Sequence, residues 1–247
     1  MSSLLLSQVG ISRSLLSYHS YNATKRDPEL LDALAQGLSV AVISDAGLPL
    51  ISDPGGSLVQ QAVEAGHEVT VIPGPSAGIT ALCGSGLDAS RYLFYGFLPK
   101  KQGKRQSTLE ELLESPYTLI FYEAPQRLPD TLQLLQDLAP ERTVVVAREL
   151  TKRYETYYRG TAQELAEQIK NPPKGECVLL LEGLESYHER HPQTSGMNTK
   201  ALEVLRLVLE RGLSVKDATR LLQLIDPSLD KNAIYQKALE IREGNYA

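Results

Sequence analysis

A chain of 247 residues with 42% hydrophobic and 22% charged side chains has an ordinary globular make-up, with length enough for two compact domains and a small appendage. Its net charge of −5 argues against a general nucleic-acid coat, while leaving room for local basic patches that steer one specific RNA. No run could span a membrane, the start lacks a signal-peptide pattern, and Cys83 and Cys177 lie far apart in apolar stretches, which predicts buried thiols in a reducing, cytoplasmic compartment and no metal site.

Residues 4–16 carry apolar side chains at helical spacing, interrupted by Gly10, and read as an amphipathic helix. The polar aromatic stretch 18–22 reads as a loop whose rings either cover a sheet edge or touch a substrate. Asp27-Pro28 suits a helix start, with the helix running to Ala35 and stopped by Gly37. Residues 40–44 are short, apolar and β-branched, as for a strand buried in a parallel sheet. The run breaks at 45–49, where Gly47 lets a ligand approach the backbone and Pro49 fixes the loop. Asp53-Pro54 then reads as a capped helix start, and Ala65-Gly66 as its stop. A second unit repeats the design: a strand over 68–72, a small-residue loop over 73–78 with Ser76 as cap, and a helical run over 79–84. Each loop alone is equally well a sharp turn with no ligand. Two of them on successive parallel strands face one sheet edge and favour a shared pocket.

Residues 91–97 predict a strand, followed by the basic stretch 100–105, with a domain boundary near Pro99. The second domain, 100–184, alternates strands over 117–122, 142–147, 154–159 and 178–181 with helices over 125–138 and 161–169. Residues 185–198 read as a linker. Beyond it only helices are expected, over 200–209, 214–224 (opened by a Ser cap) and 230–241, with charges too mixed for a basic recognition face.

The strings SDAGLPLISDPG, VIPGPSAGITAL, YGFLP, FYEAPQRL, ARELTKRYE and KGECVLLLEG, in this order, resemble the tetrapyrrole methylase superfamily, and within it the branch that methylates small-subunit ribosomal RNA. The family pattern has Thr where this chain has Leu48 and His where it has Gln126, and nothing in residues 1–22 matches the family's first strand, its Pro-Ile-Gly-Asn-like loop or its Asp-Thr-Arg motif. The resemblance implies an α/β protein: two α/β domains (1–99 and 100–184) with a cofactor cleft between them and a small all-α end. It implies S-adenosylmethionine held by Ala46, Gly47, Leu48 and Ile51 on one side, Ser76 and Ala77 on another, and Glu123 and Ala147 from the second domain. The reaction implied is 2′-O-methylation of a cytidine in 16S rRNA of the small ribosomal subunit, by a homodimer.

The catalytic candidates are Asp45 and Glu123 as proton acceptors and Arg148 against the developing oxyanion. Asp53 is explained by helix capping alone, and Glu123 with Arg127 is equally an i,i+4 ion pair. The candidate RNA footprint is Lys100, Lys101, Lys104, Arg105, Arg127 and Lys152, joined by Arg153 and Arg159; the plain alternative is a solvated face. Two rival functions are methylation of a tetrapyrrole or another small molecule, and ribosome binding by a truncated, non-catalytic relative.

Overall fold

The structure is a computed structural model that describes residues 2–169, 174–191, 199–227, 229 and 231–242. Its centre is one five-stranded sheet of order β1-β2-β5-β3-β4, built from β1 (Tyr92–Phe97), β2 (Thr118–Glu123), β3 (Val144–Arg148), β4 (Thr156–Gly160) and β5 (Cys177–Leu181). The Val-, Leu- and Ile-rich runs of β2, β3 and β5 occupy the middle, where both faces are covered. Alternation divides their side chains. Leu119, Phe121, Val144, Val146, Leu179 and Leu181 meet α5 (Gln102–Leu112), α6 (Leu128–Leu138) and α7 (Ala162–Gln168). Ile120, Val145, Ala147, Val178 and Leu180 meet α4 (Ala77–Ser85) on the other face.

Among the described strands only β1 and β2 pair in parallel; β5 is antiparallel to both β2 and β3, so β1, β2 and β3 run in the same direction. Their carboxyl ends, Phe97, Glu123 and Arg148, therefore share one sheet edge. At the opposite edge the buried Arg142 Nε donates to the Glu182 carbonyl at 2.9 Å and its Nη1 to the Leu113 carbonyl at 2.8 Å. Burial drives this guanidinium down to about 10.

The ladder between β1 and β2 contains a bulge. Pairing passes from Phe94↔Ile120 to Gly96↔Phe121, skipping Tyr95, and Gly96 takes φ +82°.

The mixed α/β architecture and the all-α end agree with expectation, but several elements differ. The strands expected over 40–44 and 68–72 are not formed: apolar, β-branched runs become strands only when a neighbour completes their hydrogen bonds, and neither finds one among the described residues. The first 99 residues instead supply α1 (Ser2–Gln8), α2 (Ala23–Ala35), α3 (Gly56–Glu64), α4 and β1, and β1 joins the second domain's sheet across the expected boundary. The first helix ends before Gly10 rather than reaching residue 16. The second starts four residues before Asp27, whose buried carboxylate accepts from Tyr18 Oη at 2.7 Å and Ser57 Oγ at 2.6 Å, tying α2 to α3. Asp53 caps nothing, because α3 begins after Gly55 at φ +126°. The expected linker holds α8 (Leu184–Arg190), and its residues 192–198 lie outside the described residues, as do 243–247 of the helical end.

The three terminal helices, α9 (Thr199–Glu210), α10 (Val215–Ile225) and α11 (Lys231–Arg242), pack around Leu205, Ala218, Leu222, Ile234 and Ala238. Ser214 opens α10 by accepting the Asp217 amide at 3.1 Å, as its position before the apolar run predicts.

Candidate functional site

The two small-residue loops touch each other. The Leu48 amide donates to the Pro75 carbonyl at 2.9 Å, and a Cβ on Gly47, which sits at φ +71°, would come within 3.2 Å of that same oxygen. Glycine is needed there for both conformation and clearance. Ser44 Oγ closes the first loop from inside, donating to the carbonyls of Ala46 and Gly47 at 3.0 and 2.9 Å. The loop is also strained: Leu50 and Ser52 take φ +73° and +60°. Among the described residues the other two non-glycine positions with positive φ are Glu149 and Thr151, in the turn after β3. Such strain persists where surrounding structure enforces it, and it gathers at functional sites.

Both loops reach the edge formed by the carboxyl ends of β1, β2 and β3. α4 starts at Ser76, whose side chain makes no capping hydrogen bond, and its Gly78 amide lies 3.4 Å from the Tyr122 hydroxyl at the end of β2. α4 then runs to the far edge, where Arg159 of β4 donates from Nε to the Ser85 carbonyl at 2.9 Å. Ser52 of the first loop lies against Gly96, at the bulge near the end of β1. The edge thus gathers residues 44–55, residues 73–78, the turn from Phe97 into α5, the start of α6 and the turn 149–155. Outside the carboxyl ends of strands is where open α/β sheets take their ligands.

The nominated residues are distributed as follows. Ala46, Gly47, Ile51 and Ala77 are exposed on the two loops, with Leu48 and Ser76 partly covered beside them, and Asp45 is exposed at the mouth of the first loop. Ala147 is fully buried on the α4 face. Glu123 is buried and points to the opposite face, where it accepts from the Ala124 amide at 2.8 Å and Thr131 Oγ1 at 2.7 Å, and pairs with Arg127 Nε at 3.2 Å. Its oxygens are thereby committed to holding α6 on the sheet. Arg127 also donates to the Leu98 carbonyl at 2.9 Å, fastening the turn after β1 to the end of β2.

The basic residues separate by burial. Lys100, Lys101 and Lys104 are exposed around the N-terminus of α5. Arg105, expected among them, is buried, reaching Thr131 Oγ1 at 3.5 Å and Asp130 at 3.7 Å. Lys152 pairs with Glu149 and Glu176, each at 3.0 Å; its hydrogen bonds to Glu149 and then Glu176 raise its pKa, and its hydrogen bond to Glu149 lowers that carboxyl. Arg148 Nε donates to the Lys174 carbonyl at 2.8 Å. Arg159, serving the end of α4, is remote from this edge. Tyr122 and Phe97 were absent from the nominated set, although both sit in motifs that stood out in the sequence. Among the described residues no group of His, Cys, Asp and Glu could hold a metal ion, and no helix is long and apolar enough to cross a membrane.

Residues 12–166 match the family model described as tetrapyrrole (corrin/porphyrin) methylases. The chain is similar to the "Ribosomal RNA small subunit methyltransferase I" of Haemophilus influenzae, 41% identical over 242 residues, covering 96% of this chain and 83% of that protein. It is similar to the protein of the same name from Escherichia coli O157:H7, 42% identical over 241 residues, covering 96% of this chain and 82% of that protein. Among solved structures it resembles the methyltransferase CobJ with a TM-score of 0.50 at 19% identity, over 65% of this chain and 71% of that one, a likeness of fold alone.

Proposed function

Because the chain belongs to the tetrapyrrole methylase family, we propose that it is an S-adenosylmethionine-dependent methyltransferase of small-subunit ribosomal RNA, and that it acts on the ribose 2′-hydroxyl of a cytidine. The RNA assignment is supported by two relatives above 40% identity, whose names describe it and whose alignments span nearly this whole chain. The observation that carries the reading is the contact between the two motif loops, closed by Leu48 and Pro75, at the sheet edge where exposed lysines follow β1.

The residues present fit the cofactor. Gly47 leaves no side chain between the loops, and Ala46, Ser76 and Ala77 are small enough for a ligand to be read by backbone amides and carbonyls. The first-turn amides of α4, without partners inside the helix, suit the cofactor's carboxylate. When bound, S-adenosylmethionine supplies a methyl group on a positively charged sulfur that departs as a neutral thioether. The chain's own work is to place a 2′-oxygen in line, exclude water and accept a proton. We assign the proton-accepting role to Asp45, which is exposed on the first loop. The terminal nitrogens of Arg148 stand against the charge that develops on the oxygen. Lys100, Lys101 and Lys104 crowd positive charge at the N-terminus of α5, where the helix dipole already disfavours it, and a phosphate there relieves both.

The test uses 30S subunits and cofactor labelled in its methyl group. A methylated 2′-oxygen cannot attack the neighbouring phosphodiester, so alkaline hydrolysis should leave a labelled, alkali-resistant dinucleotide beginning with cytidine. Label on a base would overturn the ribose assignment, and unlabelled rRNA would overturn the whole reading. Ala77→Leu, at an exposed position, should abolish calorimetric binding of S-adenosylhomocysteine while leaving the melting temperature within a few degrees, and Gly47→Val should abolish binding and lower the melting temperature as well, because valine is strained at that φ.

A further inference from the structure

Two aromatic rings at the carboxyl ends of β1 and β2 have no part in that chemistry, and we propose that Phe97, backed by Tyr122, is a stacking platform for a nucleobase of the RNA substrate. The inference rests on the RNA reading above and adds which residues hold the base.

Strict alternation would put Phe97 on the opposite face of the sheet from Phe94. The bulge cancels this. Tyr95, the unmatched residue, turns towards Phe121 with ring centroids 6.1 Å apart, and Phe97 rejoins the face of Phe94 and Tyr122. The Phe97 and Tyr122 centroids lie 5.5 Å apart at 63°, and Phe94 supports Tyr122 from behind at 5.0 Å. The inner two rings are partly covered, but Phe97 keeps 55% of its surface in water. An extra residue, an interrupted ladder and a left-handed glycine thus serve to aim a large apolar ring outwards, which folding alone does not reward.

The surroundings identify what the ring meets. Ser52 of the first loop lies against Gly96, and the Gly78 amide of the second loop meets the Tyr122 hydroxyl, so the rings stand beside both loops. Three residues beyond Phe97 the chain reaches the exposed Lys100 and Lys101. An aromatic face next to lysines is the chemistry that single-stranded nucleic acid demands, with bases stacking and phosphates meeting ammonium groups. A ribose inside folded RNA becomes accessible when its nucleotide leaves the stack, and a protein ring replaces the partner it has lost.

The chain contains no tryptophan, so Phe97→Trp creates a single fluorescent reporter at the platform. Its emission should be quenched on titration with an unstructured cytidine-rich RNA or with 30S subunits, and not by S-adenosylhomocysteine alone. Phe97→Ala and Phe97→Leu should each weaken RNA binding on the order of 10- to 100-fold while leaving its salt dependence unchanged, because stacking releases no counterions. Phe97→Trp should retain wild-type affinity. Unquenched emission, quenching by the cofactor product alone, or unchanged RNA affinity in both truncations would overturn the platform. If wild type labels the ribose and any of these results appears, the platform alone falls. If wild type labels no rRNA, the parent reading falls, and quenching still decides whether the ring meets RNA.

Discussion

Removing the Glu123 carboxylate would leave the Ala124 amide, the Thr131 hydroxyl and the Arg127 guanidinium facing a buried gap. Glu123→Ala should therefore lower stability by about 3 kcal/mol in urea denaturation. A loss under about 1 kcal/mol would mean that water or a neighbour takes the carboxylate's place. A second carboxylate, Glu182, reports through pH. Burial raises its pKa, but hydrogen bonds from Arg190 and the Thr143 amide outweigh burial, and the net shift is downward from 4.5. A carboxyl depressed in the folded state contributes stability that is present above pH 4.5 and lost as pH falls through its lower folded value. Arg190→Ala should flatten this part of the acid unfolding curve; an identical curve would show that the pair contributes nothing. The cysteines part ways as well. Burial pushes the Cys177 thiol up to about 11, while Cys83, expected to be buried, is exposed on α4. At pH 8 an alkylating reagent should label Cys83 in the native protein and reach Cys177 only after unfolding.

Among the elements, α4 depends most on a missing side chain. A Cβ at Gly84 would run into the ring of Tyr157, whose hydroxyl donates to the Thr80 carbonyl at 3.2 Å. Gly84→Ala should cost about 1–3 kcal/mol by forcing helix and strand apart, even though alanine favours helix. An unchanged melting temperature would mean that the ring swings aside freely. The same comparison of forces explains what could be read in advance. The middle strands were legible because runs such as Cys177–Leu181 are apolar at every position, and α10 because Ser214 precedes its apolar run. Residues 40–44 look equally strand-like, yet apolar character records a preference for burial and says nothing about whether a partner is there to pair. The bulge at Gly96 was hidden because it is defined by what lies across the ladder. The face taken by Glu123 was hidden for the same reason: its oxygens hold β2 and α6 together through Thr131 and Arg127.

At the scale of the molecule the net charge of −5 conceals a local concentration of positive charge, three exposed lysines where the chain leaves β1 for α5. Replacing Lys100, Lys101 and Lys104 with serine should weaken RNA binding and lower its salt slope by about 2, at roughly 0.7 per single-stranded phosphate contact. Affinity for S-adenosylhomocysteine should stay as it was. A salt slope equal to the wild type's would make these lysines an ordinary solvated face. The loops were legible by their small residues and turn formers; their mutual contact was not, since it joins residues 48 and 75 through backbone atoms alone.

The sheet order also sets a timetable. β5, the last of the described strands in chain order, lies between β2 and β3 and is the one strand of this sheet that pairs with both the β1–β2 pair and the β3–β4 hairpin. Until residues 177–181 are made, the ladder between those two strand pairs is missing, and each leaves an open edge for the same five residues. The contacts of the two motif loops with each other and with the ends of β1 and β2 all come from residues before β5, so what waits for it is the turn 149–155, brought to the same edge by a strand that lends the site no side chain of its own.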